Sequence, residues 1–117
     1  RIPRRRAAPV LVAAACALVP ATATADRHCL PAQDAYFEAR RLLLDESTSC
    51  PAAIGDAADA LGTGVEMAGI CGCGPLVDLL SALAQTAAEQ ARPCADRRDE
   101  ILGRRDEVEA TVLECHR

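Results

Sequence analysis

The cysteines carry the chemistry that this sequence offers. Cys29, Cys50 and Cys71 stand 21 residues apart, Cys73 follows after a single glycine, and Cys94 and Cys115 continue at the same interval of 21. A close pair such as Cys71-Gly72-Cys73 suggests metal ligation, thiol–disulfide exchange or covalent cross-linking. A zinc site wants two such pairs converging on one ion, whereas here one close pair stands alone and its companions are a helix length away. His28 and His116 are isolated from one another and join no ligand cluster. Dithiol redox catalysts use C-x-x-C at a helix N-terminus in a βαβ setting; this chain has C-x-C and no segment with a strand period. A Cys71–Cys73 bridge would close a very small, strained ring. Cross-linking to distant cysteines is the reading that remains, and most of the pairings that six cysteines allow stay open to it. An interval of 21 returns to within about 60° of the same helical face, so a cysteine at each end of a helix-length segment can tie each end to a neighbour.

Other chemistries have little to work with. The chain contains no Ser-His-Asp grouping and no nucleotide-binding Gly loop, so no catalytic residue, metal or cofactor is expected. Residues 1–25 read as a secretory signal peptide rather than as part of a fold. Arg1, Arg4, Arg5 and Arg6 form a basic start, Ala7 to Val19 carries no charge, and small residues precede a cleavage site after Ala25. That apolar stretch is shorter than the roughly 20 residues a membrane-spanning helix needs. Cys16 leaves with the leader; a lipid-modified Cys16 would want Leu where Ala13 stands. A secreted, extracellular domain over residues 26–117 is therefore expected. It carries nine basic against 17 acidic residues, a net charge of −8. This acidity excludes nucleic acid as a partner and suits solubility.

The elements that must position the cysteines are helices. "PAQDAYFEARRLLLDE" (31–46) opens with Pro and carries Tyr36, Phe37, Leu42, Leu43 and Leu44 as a broad apolar stripe. "PAAIGDAADALG" (51–62) places Ala53, Ile54, Ala57, Ala58 and Leu61 at helical spacing, with Gly62 as its C-cap. A short helix around 65–70 and a Gly-rich loop follow. "PLVDLLSALAQTAAEQA" (75–91) aligns Leu76, Leu79, Leu80, Leu83, Ala84 and Ala87, and Pro93 ends it. The last segment, 95–115, turns Ile101, Leu102, Val108 and Val112 inward and presents a dense charged face from Arg97 to Glu109 outward. The chain is expected to be all-α, a small disulfide-stapled bundle of about four to five helices. Its Ala-rich faces, with Tyr36 and Phe37 as the sole aromatics, give a thin core that disulfides of ~2–4 kcal/mol each would reinforce.

The order of these elements resembles the elicitins, small secreted six-cysteine helical proteins of oomycetes. "QDAYFEARRLLLDESTSC" looks like that family's first helix and its run to the second cysteine. "VEMAGIC" looks like the approach to the third, and "PLVDLLSALA" like the apolar helix after the fourth. The equal first, second and last cysteine intervals are shared. The resemblance implies the bridges Cys29–Cys94, Cys50–Cys73 and Cys71–Cys115. It also implies an apolar cavity that carries a sterol or fatty acid, with no catalytic residue, and elicitation of plant defence. The cavity lining would be Tyr36, Leu43, Ile54, Leu61, Met67, Leu80 and Leu83. The alternative is an extracellular interaction module with no lipid ligand, recognised by a cell-surface receptor through its surface, the charged Arg97–Glu109 face above all.

Overall fold

The structure, a computed structural model, describes residues 29–116. The expected signal peptide, with Cys16, and His28 lie outside the described residues. Helices α1 (Cys29–Leu43), α2 (Cys50–Ile70), α3 (Gly74–Ala88), α4 (Cys94–Leu102) and α5 (Arg105–Cys115) form an all-α bundle, closed by three disulfides.

In α1 the residues Ala32, Tyr36, Ala39 and Leu43 recur at steps of three and four and are buried, which is the stripe an amphipathic helix turns to its core. The connection to α2 is built by Asp45. Its carboxylate accepts from the Ser47 backbone N–H at 2.9 Å and from the Ser47 hydroxyl at 2.6 Å, an Asx turn. The Ser49 hydroxyl then caps α2 by accepting from Ala52 N–H at 3.4 Å.

Helix α2 corrects the sequence reading. A C-cap at Gly62 and a separate short helix after it were expected; instead one helix runs for 21 residues from Cys50 to Ile70. Gly62 has no positive φ, and the buried series Ala57, Leu61, Gly64, Ala68 passes through it without changing face. Burial continued on both sides outweighs the roughly 1 kcal/mol that a mid-helix glycine costs.

The end of α2 explains the residue between the paired cysteines. Cys73 N–H donates to Ala68 O at 3.0 Å, and Gly72 N–H to Gly69 O at 3.1 Å. Gly72 has φ +76°. These are the two bonds and the left-handed residue of a Schellman cap, and a side chain at Gly72 would meet the steric cost of that region. Cys71 closes α2 while Cys73 precedes α3 as its N-cap. The pair is thus a helix-to-helix junction.

The bridges join Cys29 to Cys71, Cys50 to Cys94 and Cys73 to Cys115, with Cα–Cα distances of 5.3, 6.1 and 5.8 Å. Cys71 and Cys73 do not bridge each other, as expected. The pairings Cys29–Cys94, Cys50–Cys73 and Cys71–Cys115 implied by the elicitin resemblance are overturned, and the length of α2 is the reason. Cys50 and Cys73 flank a continuous helix of 21 residues, which holds them about 30 Å apart, whereas a disulfide needs Cα atoms within roughly 7 Å. The α1–α2 hairpin brings Cys71 back beside Cys29 at one end. It leaves Cys50 at the other end with Cys94, about 20 Å from Cys29 along α1.

The last expected helix is divided. It breaks after Leu102, at Gly103 and Arg104. The Ile101 carbonyl, which a continuous helix would give to the N–H four residues on, accepts instead from the Tyr36 hydroxyl at 2.7 Å and from Arg104 N–H at 3.3 Å. Beyond the break, Val108 and Val112 are buried as expected, and the Arg105 guanidinium lies 5.7 Å from the Phe37 ring centroid.

One close approach sets how tightly the helices pack. A Cβ built on Gly64 would lie 3.0 Å from Leu80 Cδ1 and 3.3 Å from Ala35 Cβ, whereas one on Gly62 would meet nothing within 4 Å. Gly62→Ala is expected to gain about 0.5–1 kcal/mol from helix propensity alone. Gly64→Ala is expected to lose about 1 kcal/mol, because crowding of three helices outweighs the same gain. Urea unfolding of the two variants with bridges intact checks this; equal shifts would refute the packing account.

Candidate functional site

The seven residues proposed to line a cavity are brought together by the fold, but mostly as packing. Tyr36, Leu61, Leu80 and Leu83 are at most 1 % exposed, Leu43 and Ile54 5 %, and Met67 is half-buried. They lie in one contiguous core with Leu76, Ile101 and Val108. Two open surface clefts touch this set at single points. The first, about 450 Å³, includes Ile54 among Pro51, Gly55, Ala58, Ala87, Ala88, Gln90 and Arg97. The second, about 430 Å³, includes Leu43 beside Leu44, Leu102, Glu46, Arg98 and Asp99. Tyr36, Leu61, Met67, Leu80 and Leu83 line neither.

The polar groups inside the bundle are spent on helix ends. The last carbonyls of any helix lack intrahelical donors, and here side chains from neighbouring helices supply them. Tyr36 donates to Ile101 O at the end of α4, and Arg40 donates to Leu102 O. Arg97 donates through Nη1 to Ala87 O at 2.7 Å, at the end of α3, and through Nε to Arg92 O at 3.1 Å. A guanidinium in this position also meets the negative end of the α3 dipole. Thr86, buried on α3, donates to Glu100 Oε2 at 2.8 Å, and Arg92 Nη2 lies 2.9 Å from Glu100 Oε1. The Thr86 hydroxyl first, and Arg92 second, hold the Glu100 carboxyl below its ordinary range.

Sequence reasoning missed these roles. Arg97 was placed on the outward charged face, yet it is only 8 % exposed. Its spacing could have revealed it: Arg97 stands four residues before Ile101 and shares that residue's inward face. Arg40 likewise stands four after Tyr36, at the edge of the buried stripe of α1. Apart from Glu100, held by Thr86 and Arg92, the charged pairs of the stretch run between near neighbours in sequence: Arg98 with Asp99, Arg104 with Glu107, and Arg105 with Glu109. Among the described residues no group of His, Cys, Asp and Glu is placed to hold a metal ion, and no helix is long and apolar enough to cross a membrane.

Tyr36 provides a direct readout of the core. Burial raises its phenol above the ordinary tyrosine value, and the nearby Arg40 guanidinium opposes this only in part. A raised folded-state pKa means that the neutral phenol stabilises the fold. That contribution is full below the unfolded pKa of about 10 and is lost as pH rises through the folded value. Tyr36 is the single tyrosine, so tyrosinate absorbance reports it alone. The folded protein is expected to ionise at higher pH than the reduced, unfolded chain; coincident midpoints would contradict the burial of the phenol.

No protein-family model matches this chain, and neither a curated protein nor a solved structure is detectably similar to it.

Proposed function

We propose that this chain is an extracellular, disulfide-stapled helical module without catalytic chemistry, acting through its outer surface on a partner such as a cell-surface receptor. The observation that carries this reading is the burial of the proposed lining residues in one contiguous core. The residues that would line a lipid cavity pack against one another, and the hydroxyl of Tyr36 is committed to the end of α4. Three bridges suit an oxidising compartment, in keeping with the secretory leader read in residues 1–25. Contact residues on the charged stretch would be Arg98, Asp99, Arg105, Asp106 and Glu107, with Arg97 turned inward.

Sterol or fatty-acid carriage with elicitation of plant defence, as the elicitin resemblance implies, is the second reading. The shared helix order and equal cysteine intervals favour it, although the bridges differ from that family's scheme, and carriage would require the core helices to part. Titration with a fluorescent sterol separates the two. The surface reading expects no saturable binding, together with saturable, competable binding of labelled protein to a responsive cell surface. Stoichiometric sterol uptake would overturn it in favour of the carrier.

A further inference from the structure

The first cleft combines features that point to a small ligand. Its walls mix apolar and polar surface around small residues, Gly55 and Ala58 from α2 with Ala87 and Ala88 from α3. Set among them is one cation, Arg97, more than nine-tenths buried. Among the described residues no carboxylate lies in ion-pair range of Arg97; each of the salt bridges seen there uses another arginine. Two of its N–H groups are spent, on Ala87 O and Arg92 O. The others, on Nη1 and Nη2, have no acceptor among the described residues. Among the described residues no buried side-chain nitrogen lacks a partner, so Nη2 keeps some accessible surface, and Arg97 is one of the residues that line the cleft. A guanidinium fork with free donors matches the two oxygens of a carboxylate, and in a partly desolvated site such a contact is stronger than at an open surface. The cleft, at about 450 Å³, falls within the range of small-molecule sites.

We infer that this cleft binds a small organic monocarboxylate, with the carboxylate on Arg97 and a short apolar body against Ile54, Gly55, Ala58 and Ala88. The site is independent of the surface-recognition reading: it opens at the surface and needs no helix to part. Either can fail alone, because one is read by a small acid and the other by cell binding.

The test is titration of the oxidised protein with hexanoate, followed by amide NMR, with hexan-1-ol and acetate as controls. Saturable shifts centred on Gly55, Ala58, Ala88 and Gln90 are expected for hexanoate, weakened by added salt, with neither control saturating over the same range. Gly55→Leu adds a side chain at the cleft wall, where a Cβ meets nothing within 4 Å, and leaves Arg97 itself in place. It should weaken hexanoate at least tenfold while leaving the thermal midpoint near that of the parent. Arg97→Lys, which keeps a charge but loses the fork, should weaken it as well. Hexanol binding as tightly as hexanoate would overturn the assignment, as would undiminished affinity in Gly55→Leu. So would the absence of saturable shifts.

Discussion

Replacing Cys50 and Cys94 together by alanine is expected to lower the unfolding free energy by about 4 kcal/mol, the loop-closure value for a cross-link spanning this many residues. The bridge joins positions 44 apart in sequence and ties the start of α2 to the start of α4. The part of the core that α2 contributes at that end is Ala53, Ile54 and Ala57, and alanine burial contributes little beyond a single methyl. A domain of this size has roughly 5–15 kcal/mol in all, so the variant should unfold at far lower urea or fail to accumulate. A loss below about 1 kcal/mol would contradict the pairing. The pairing itself is open to direct mapping. Cleavage after glutamate isolates Cys50 on 47–66 and Cys94 on 90–100, while Cys71 and Cys73 share 67–89. The expected product is a two-peptide species of 47–66 with 90–100. The elicitin scheme would instead join 90–100 to the peptide bearing Cys29.

The second large effect is expected at Arg97. Arg97→Met keeps the aliphatic stem but removes both donors, leaving Ala87 O in the last turn of α3 and Arg92 O in the connection after it without their partner. Hydrogen bonds from a charged donor contribute about 1.5–3 kcal/mol, so a loss of about 2 kcal/mol is expected. Arg98→Met is the matched control one residue on. Arg98 lies 3.5 Å from the largely exposed Asp99, a pairing that contributes at most about 1 kcal/mol. Urea unfolding of the two variants should differ plainly; similar losses would mean that Arg97 acts only as part of a solvated charged face.

These two positions mark where the sequence was legible and where it was not. Helical class, the inward leucines of α3 and the buried Ile101, Val108 and Val112 follow from period and could be read directly. The refusal of Cys71 and Cys73 to bridge follows from ring size. The pairing of the cysteines did not follow, because it hangs on whether α2 survives Gly62. Local propensity favours a stop there, and only the burial of Leu61 and Gly64 against α1 and α3 decides otherwise. A helix broken at Gly62 could fold Cys50 toward Cys73; an unbroken one cannot. Arg97 was misplaced for a related reason. An arginine in a charge-rich run reads as solvated until a helix end without donors is packed beside it, and that neighbour is ten residues away in sequence. Six of the seven proposed cavity residues, all but the half-buried Met67, are buried, but period alone does not distinguish a packed interior from a hollow one.

The Cys71-Gly72-Cys73 junction has a consequence for how the molecule comes apart. Cys29–Cys71 closes one covalent ring and Cys73–Cys115 closes another, each spanning 42 positions. Gly72 is the backbone link between the rings, and Cys50–Cys94 is a second link across them. Severing any one peptide bond between Cys29 and Cys115 therefore leaves a single connected molecule: a cut inside a ring opens it without freeing a piece, and a cut at Gly72 leaves the rings joined through Cys50 and Cys94. A protease that nicks this protein once between Cys29 and Cys115 adds a water molecule to it and releases nothing.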